Sequence, residues 1–329
     1  MTGATPVPAA EPTLLELTGV AVEYGRRGAR VRAVDGVDLT VAAGEVVGLV
    51  GESGCGKSSL GRAAVGLEPL AAGSARFLGE PVTTIGRGAR PGRLRRLQMV
   101  FQDPYSSLNP RRTVGDLVAD GVTLGGGSRA EGRTRAAALL ERVGLPASAT
   151  GAYPHEFSGG QLQRIAIART LAADPLCFVA DEPISALDAS AQATVANLLS
   201  GLVRDSGIGL LLVSHDLSVV RQVADRVAVM YLGRVVEVGT TEQVWSRPQH
   251  PYTQALVAAI PRPDGGGVLP ADLPGDVPDP ADPPSGCRFH PRCPIVEDSC
   301  RTTDPRPETV AGRQVACVVR AAPAARADA

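Results

Sequence analysis

Apolar and polar positions follow three successive patterns along this chain. Residues 14–17 and 20–24 alternate, and after the turn residues Gly25-Arg26-Arg27-Gly28 the alternation resumes over 31–41. Both stretches predict strands with one face buried. A turn at Ala43-Gly44-Glu45 leads into an uninterrupted apolar run, 46–50, and further strand patterns follow at 94–101, 176–180 and 208–213. Residues 227–238 read as a hairpin around Leu232-Gly233-Arg234. Helical spacing appears after the first run, then at 114–122, 130–143, 161–172, 190–204 and 252–260, with Gly125-Gly126-Gly127 separating two of these segments and a polar loop at 104–110. Strands alternating with helices predict an α/β fold with a parallel sheet, interrupted by a helical insertion. The Pro-, Asp- and Gly-rich stretch 261–285 reads as a linker, residues 286–319 hold few apolar positions but four cysteines, and 1–13 and 321–329 read as disordered ends.

The apolar run 46–50 ends in Gly51-Glu52-Ser53-Gly54-Cys55-Gly56-Lys57-Ser58, followed by Ser59 and a helical segment. This is G-x-x-x-x-G-K-S between a strand and a helix, the arrangement of a phosphate-binding loop. Its backbone N–H groups would cradle anionic oxygens, Lys57 would reach the β- and γ-phosphates of a nucleotide, and the Ser58 hydroxyl would hold Mg²⁺. Of 33 basic residues Lys57 is the only lysine, so a compact ammonium stands where a planar guanidinium would not fit. A chance match in a Gly-rich protein is the alternative. The second candidate is the strand at 176–180, which runs into Asp181 and Glu182. Asp181 suits a water-mediated Mg²⁺ contact and Glu182 suits polarising a water, but an acid pair capping a helix after Pro183 would look the same.

Composition narrows the class. With 329 residues the chain can bury a large core, and a net charge of −1 offers no field for nucleic acid. No apolar run approaches the roughly 20 residues of a membrane span, and the start lacks a signal peptide, so a soluble cytoplasmic protein without a disulfide framework is expected.

Taken together, the motifs resemble those of the ATP-binding subunits of ABC transporters, from about residue 14 to 259. Phe157-Ser158-Gly159-Gly160-Gln161-Leu162-Gln163-Arg164 matches the family signature, a helix N-terminus that binds the γ-phosphate of ATP held on the opposite subunit; an ordinary Ser158 N-cap is the plainer reading. Gln102 matches the glutamine that touches Mg²⁺ and faces the membrane partner. Ser185-Ala186-Leu187-Asp188 matches the D-loop, His215 the switch histidine, and Tyr24 the adenine-stacking aromatic, although a packed strand tyrosine would fit as well. The resemblance implies a P-loop NTPase (RecA-like) core with a β-subdomain and a helical subdomain. The ATPase domain would span 14–250 with its helical part near 103–172, then a helix and linker at 251–285 and a cysteine-rich module at 286–320. It implies ATP hydrolysis in a dimer whose sites are shared.

One branch fits best. Val100-Phe101-Gln102-Asp103-Pro104-Tyr105-Ser106-Ser107-Leu108-Asn109-Pro110-Arg111, Tyr153-Pro154-His155-Glu156-Phe157 and His250-Pro251-Tyr252-Thr253-Gln254-Ala255-Leu256 are similar to oligopeptide/dipeptide importer ATPases, and Tyr105 to their F-type subunit. The resemblance implies a D-type ATPase partner, two permeases, an extracellular solute-binding protein acting indirectly, and a place at the cytoplasmic face of the membrane. An importer of nickel or another small solute shares this architecture, and a soluble ABC ATPase with a metal-bearing tail is a further alternative. Cys287, Cys293, Cys300 and Cys317 are spaced C-x5-C-x6-C-x16-C, unlike the paired spacing of zinc fingers. A [4Fe–4S] cluster is what the resemblance implies; structural zinc and free thiols stay open.

Overall fold

The computed structural model describes residues 12–26, 29–86, 88, 90–260 and 275–321. The expectations for residues 1–11 and 322–329, and for most of the linker, lie outside them. Two long strands, β1 (Thr13–Arg26) and β2 (Ala29–Ala42), form an antiparallel pair in which Leu15 faces Val41, Leu17 faces Leu39 and Val22 faces Val34. The pattern suggested two runs in place of β1. The strand instead continues through the break at Thr18-Gly19 by shifting register, with Gly19 at φ 57°.

The central sheet begins with β3 (Val46–Val50), which leads to α1 (Lys57–Ala64). Next come β4 (Ala72–Phe77) and β5 (Glu80–Pro81), which the pattern did not predict; they join the first sheet in the order β2-β1-β4-β5. β6 (Leu97–Val100) is shorter than the predicted strand, because residues Arg93–Arg96 form a 3₁₀ turn instead. The expected polar loop contains a short helix, α2 (Pro104–Ser107), capped by the Asp103 carboxylate. The insertion consists of α3 (Val114–Gly125), α4 (Arg129–Arg142) and α5 (Gly159–Leu171). Thr113 and Ser128 cap the first two of these.

The chain returns to the sheet through β7 (Cys177–Asp181), α6 (Ala189–Ser206), β8 (Gly209–Val213), α7 (Leu217–Val223), β9 (Arg226–Tyr231) and β10 (Arg234–Thr240). Strands β6, β7, β8, β3 and β9 lie parallel in that spatial order. Both faces of this sheet are covered, which explains its unbroken apolar runs. Leu210 and Leu212 pack on the side of the inserted helices, while Leu211 and Val213 pack on the side of α1 and the β1–β2 sheet.

After α8 (Thr241–Ser246) and α9 (Pro251–Ala258), the C-terminal segment adds β11 (Glu308–Val310), β12 (Arg313–Val315) and a last turn, α10 (Val318–Ala321). This hairpin extends the central sheet itself, pairing Val315 of β12 with Glu237 of β10. Glu237 is fully buried. Its carboxylate accepts from Arg313 Nη1 (3.3 Å), from the Gln249 N–H (2.9 Å) and from the His250 N–H (2.8 Å). Arg313→Met would leave that carboxylate without its cation and should cost about 3–5 kcal/mol of stability, read from urea unfolding.

Candidate active site

The ends of β3, β7 and β8 lie side by side, so the loops that follow them form one edge. The loop after β3 needs its glycines. At Gly51 (φ 155°) a Cβ would lie 2.1 Å from the Met230 carbonyl oxygen, and at Gly56 (φ 107°) 2.0 Å from that of Ala33. Gly56 is the N-cap of α1 and provides no side-chain bond, so the first N–H groups of the helix remain available to an anion. Ser53 and Gly54 form the exposed rim, Ser59 is half-buried, and Cys55 is buried beneath. Lys57 is 4% exposed. Its ammonium donates to the carbonyls of Gly51 (2.8 Å) and Glu52 (2.9 Å), and its third donor makes only a long contact to Cys55 Sγ (3.9 Å).

Ser58 Oγ donates to Asp181 Oδ1 at 2.7 Å. Asp181 is 2% exposed, and burial pushes its carboxyl pKa up, against the opposing effects of the Ser58 bond and the Arg62 guanidinium. A buried carboxylate beside a hydroxyl is a hard-oxygen donor set that lacks a full counter-charge, and it fits a divalent cation such as Mg²⁺.

Glu182 sits at φ 46°, a left-handed conformation that costs a non-glycine residue energy. The strain is held by its N–H donating to the Val213 carbonyl (2.9 Å) and by Ser185 Oγ donating to its own carbonyl (3.1 Å). The turn directs the carboxylate between two partners. Gln102 Nε2 donates to Glu182 Oε2 at 3.1 Å, and His215 Nδ1 lies 3.2 Å from the same oxygen. Gln102, Asp181, Glu182, Ser185 and His215 therefore converge beside Ser58, although the sequence spreads them over more than a hundred positions.

The structure does not bring every predicted residue to this edge. Asp188 caps α6, accepting from the Ala191 N–H at 2.9 Å. Ser158 and Gln161 form a capping box at the start of α5, the ordinary N-cap arrangement. A Cβ added at Gly159 would lie 3.5 Å from Leu187, and one at Gly160 2.9 Å from Ala191, both of this same chain. Tyr24 is 36% exposed, beside a cleft of about 240 Å³ that includes Arg30, Pro69 and Leu70, so its ring is not packed into a core.

The expected metal centre of Cys287, Cys293, Cys300 and Cys317 finds no support in the geometry. None of the four forms a disulfide, and among the described residues no group of three or more His, Cys, Asp or Glu side chains is placed to hold a metal ion. Burial pushes the thiol pKa up in Cys287 (to about 11), Cys293 and Cys317, and neighbouring cysteines push the same way.

Sequence reasoning also missed residues. Arg62 lies 4.0 Å from Asp181. The Glu52 N–H donates to Tyr252 Oη at 2.9 Å, and the Glu52 carboxylate pairs with Arg292. These contacts span 200 and 240 positions, and no spacing rule could have revealed them.

Comparison with known proteins agrees with this geometry. A family model described as ABC transporter matches residues 34–185, and one described as oligopeptide/dipeptide transporter, C-terminal region, matches 236–300. The chain is 47% identical to a putative peptide import ATP-binding protein of Brucella ovis, over 94% of this chain and 98% of that one. It is 46% identical to the oligopeptide transport ATP-binding protein OppF of Escherichia coli, over 88% of each. Among solved structures, the dimeric bacterial ABC transporter cassette MJ0796 aligns at a TM-score of 0.61 and 28% identity, covering 69% of this chain and 99% of that one. A cassette fold, a phosphate loop facing a buried acid pair, and near-full-length similarity to these relatives place the chain in the ABC transporter ATP-binding family, in the oligopeptide/dipeptide transporter branch.

Proposed function

We propose that this chain hydrolyses ATP to power import of di- and oligopeptides through a membrane ABC transporter. The observation that carries the enzymatic part is the alignment of Lys57, Ser58, Asp181 and Glu182 along one sheet edge, with Gln102 and His215 on the Glu182 carboxylate. The peptide cargo rests on the names of the relatives and on the matching C-terminal region.

In this reading the loop N–H groups and Lys57 hold the β- and γ-phosphates, and Tyr24 stacks on adenine. Ser58, Asp181 and Gln102 would hold Mg²⁺, which would supply neutralising charge to the phosphates. Glu182 accepts a hydrogen bond from the attacking water and polarises it, and His215 fixes the carboxylate and the γ-phosphate relative to one another. Ser158, Gly159, Gly160 and Gln161 serve the nucleotide of a partner ATPase, with Ser185 and Asp188 at the seam. Ser158 is exposed and Gly159, Gly160 and Gln161 are half-buried, so a partner's nucleotide could reach the turn. The partner is a D-type paralogue, and the pair docks on two permeases at the cytoplasmic face of the membrane, supplied by an extracellular solute-binding protein. No helix among the described residues is long and apolar enough to cross a membrane, so attachment would run through the permeases.

Three outcomes are expected. Asp181→Asn removes a charge that burial disfavours, so the nucleotide-free protein should melt at an equal or higher temperature, while calorimetry should show that Mg²⁺ no longer strengthens ATP binding. Glu182→Gln should lower steady-state hydrolysis by about 10²–10⁴-fold with the ATP dissociation constant little changed. A strain lacking this subunit should lose uptake of labelled di- or oligopeptides and keep uptake of nickel; the reverse pattern would reassign the cargo.

A further inference from the structure

Residue Glu52, the second of the phosphate loop, is gripped at three points. Its N–H donates to Tyr252 Oη (2.9 Å), and its carboxylate takes both arms of the Arg292 guanidinium (2.9 and 3.1 Å). Its carbonyl receives the Lys57 ammonium (2.9 Å) and the Cys55 N–H (3.3 Å). The first two grips come from outside the sheet edge. Tyr252 belongs to α9, in the His250-Pro251-Tyr252-Thr253 stretch that the ATP chemistry left unexplained, and Arg292 ends a 3₁₀ turn beside Cys293. Tyr252 is fully buried and Arg292 is 5% exposed.

We propose that Tyr252 and Arg292 are positioning residues for the ATP reaction: they fix both sides of Glu52, so that its carbonyl directs the Lys57 ammonium toward the phosphates.

This proposal rests on the phosphate-loop reading above and gives the C-terminal region a part in it. Two features favour positioning over simple docking. A two-armed guanidinium–carboxylate pair is a poor source of stability when nearly buried, because desolvation offsets much of the attraction, but it fixes orientation well. The surrounding apolar packing already supplies docking. Tyr231, Tyr252 and Phe289 form a ring cluster with centroids 4.7 to 5.5 Å apart, and Arg292 lies over the Tyr231 ring at 5.9 Å. With the grip intact, two of the three Lys57 donors are fixed on carbonyls and the third meets only the Cys55 sulfur, at a long 3.9 Å. Without it, the Glu52 peptide can turn, and the ammonium turns with it.

The test uses the full chain and isothermal titration with ATP and ADP, with melting temperature measured alongside. Tyr252→Phe keeps the ring in its cluster and removes only the hydroxyl; Arg292→Ala removes the fork. Each should weaken both nucleotides about tenfold, the effect of leaving one buried polar group unpaired. Arg292→Lys should fall between Arg292→Ala and the unaltered protein, since an ammonium keeps the charge without the fork. Tyr252→Phe combined with Arg292→Ala should weaken binding by less than the product of the single effects, because both act through Glu52. Arg313→Met, which loosens the same C-terminal segment away from the phosphate loop, should lower the melting temperature and leave ATP affinity within about twofold. Unchanged affinity in Tyr252→Phe would overturn the proposal, and so would an Arg313→Met loss as large as that of Arg292→Ala. Failure of the unaltered chain to bind ATP would instead count against the proposed function.

Discussion

The Lys57 ammonium is held on the carbonyls of Gly51 and Glu52, and much of this molecule can be understood as what keeps it there. The carbonyls hold their direction because the loop between them cannot relax. Gly51 is pressed against the Met230 backbone and Gly56 against that of Ala33, so β9 and β2 close the loop from two sides. Met230 and Ala33 are themselves fixed by the sheets they belong to. A single flexible side chain thus acquires a fixed direction from rigid elements, which is what a site that works by positioning and charge neutralisation requires.

The same sheet explains the acids. Because both faces of β7 and β8 are buried, their polar residues can emerge only at the strand ends, and that is where Asp181, Glu182 and Ser214 lie. Asp181 is kept close to Ser58 in a site where its charge is disfavoured until a cation arrives. Glu182 is turned out of the strand by a left-handed backbone and steadied by Gln102 and His215. Burial and strain, both unfavourable alone, are concentrated at the positions the chemistry uses.

Local chemistry was legible in the sequence. The strand–glycine–helix context of Lys57, the acid pair after an apolar run and the histidine after another each carry a local pattern, and the structure brings all of them to one sheet edge. Elements without such a pattern were missed: β4 and β5 are short and half-exposed, α7 and α8 are too brief for helical periodicity, and the β11–β12 hairpin has three residues per strand. The metal centre read from the four cysteines gained no support, because spacing counts residues, whereas ligation depends on how the folded chain places the sulfur atoms. The Glu52 contacts to Tyr252 and Arg292 are formed only by the folded chain, so no window of sequence contains them.

In the proposed reading the chain holds one half of a site at Lys57 and offers the other half at Ser158, on a turn where an added Cβ would meet Leu187, Tyr105 or Ala191. Turnover should then belong to a pair of ATPase chains and not to one. The direct measurement is the ATPase rate per chain across protein concentration, with solution mass recorded in the same samples. The account predicts a rate per chain that is very low where the protein is monomeric and rises in step with the fraction of paired chains; a constant rate per chain in a protein that stays monomeric would contradict it.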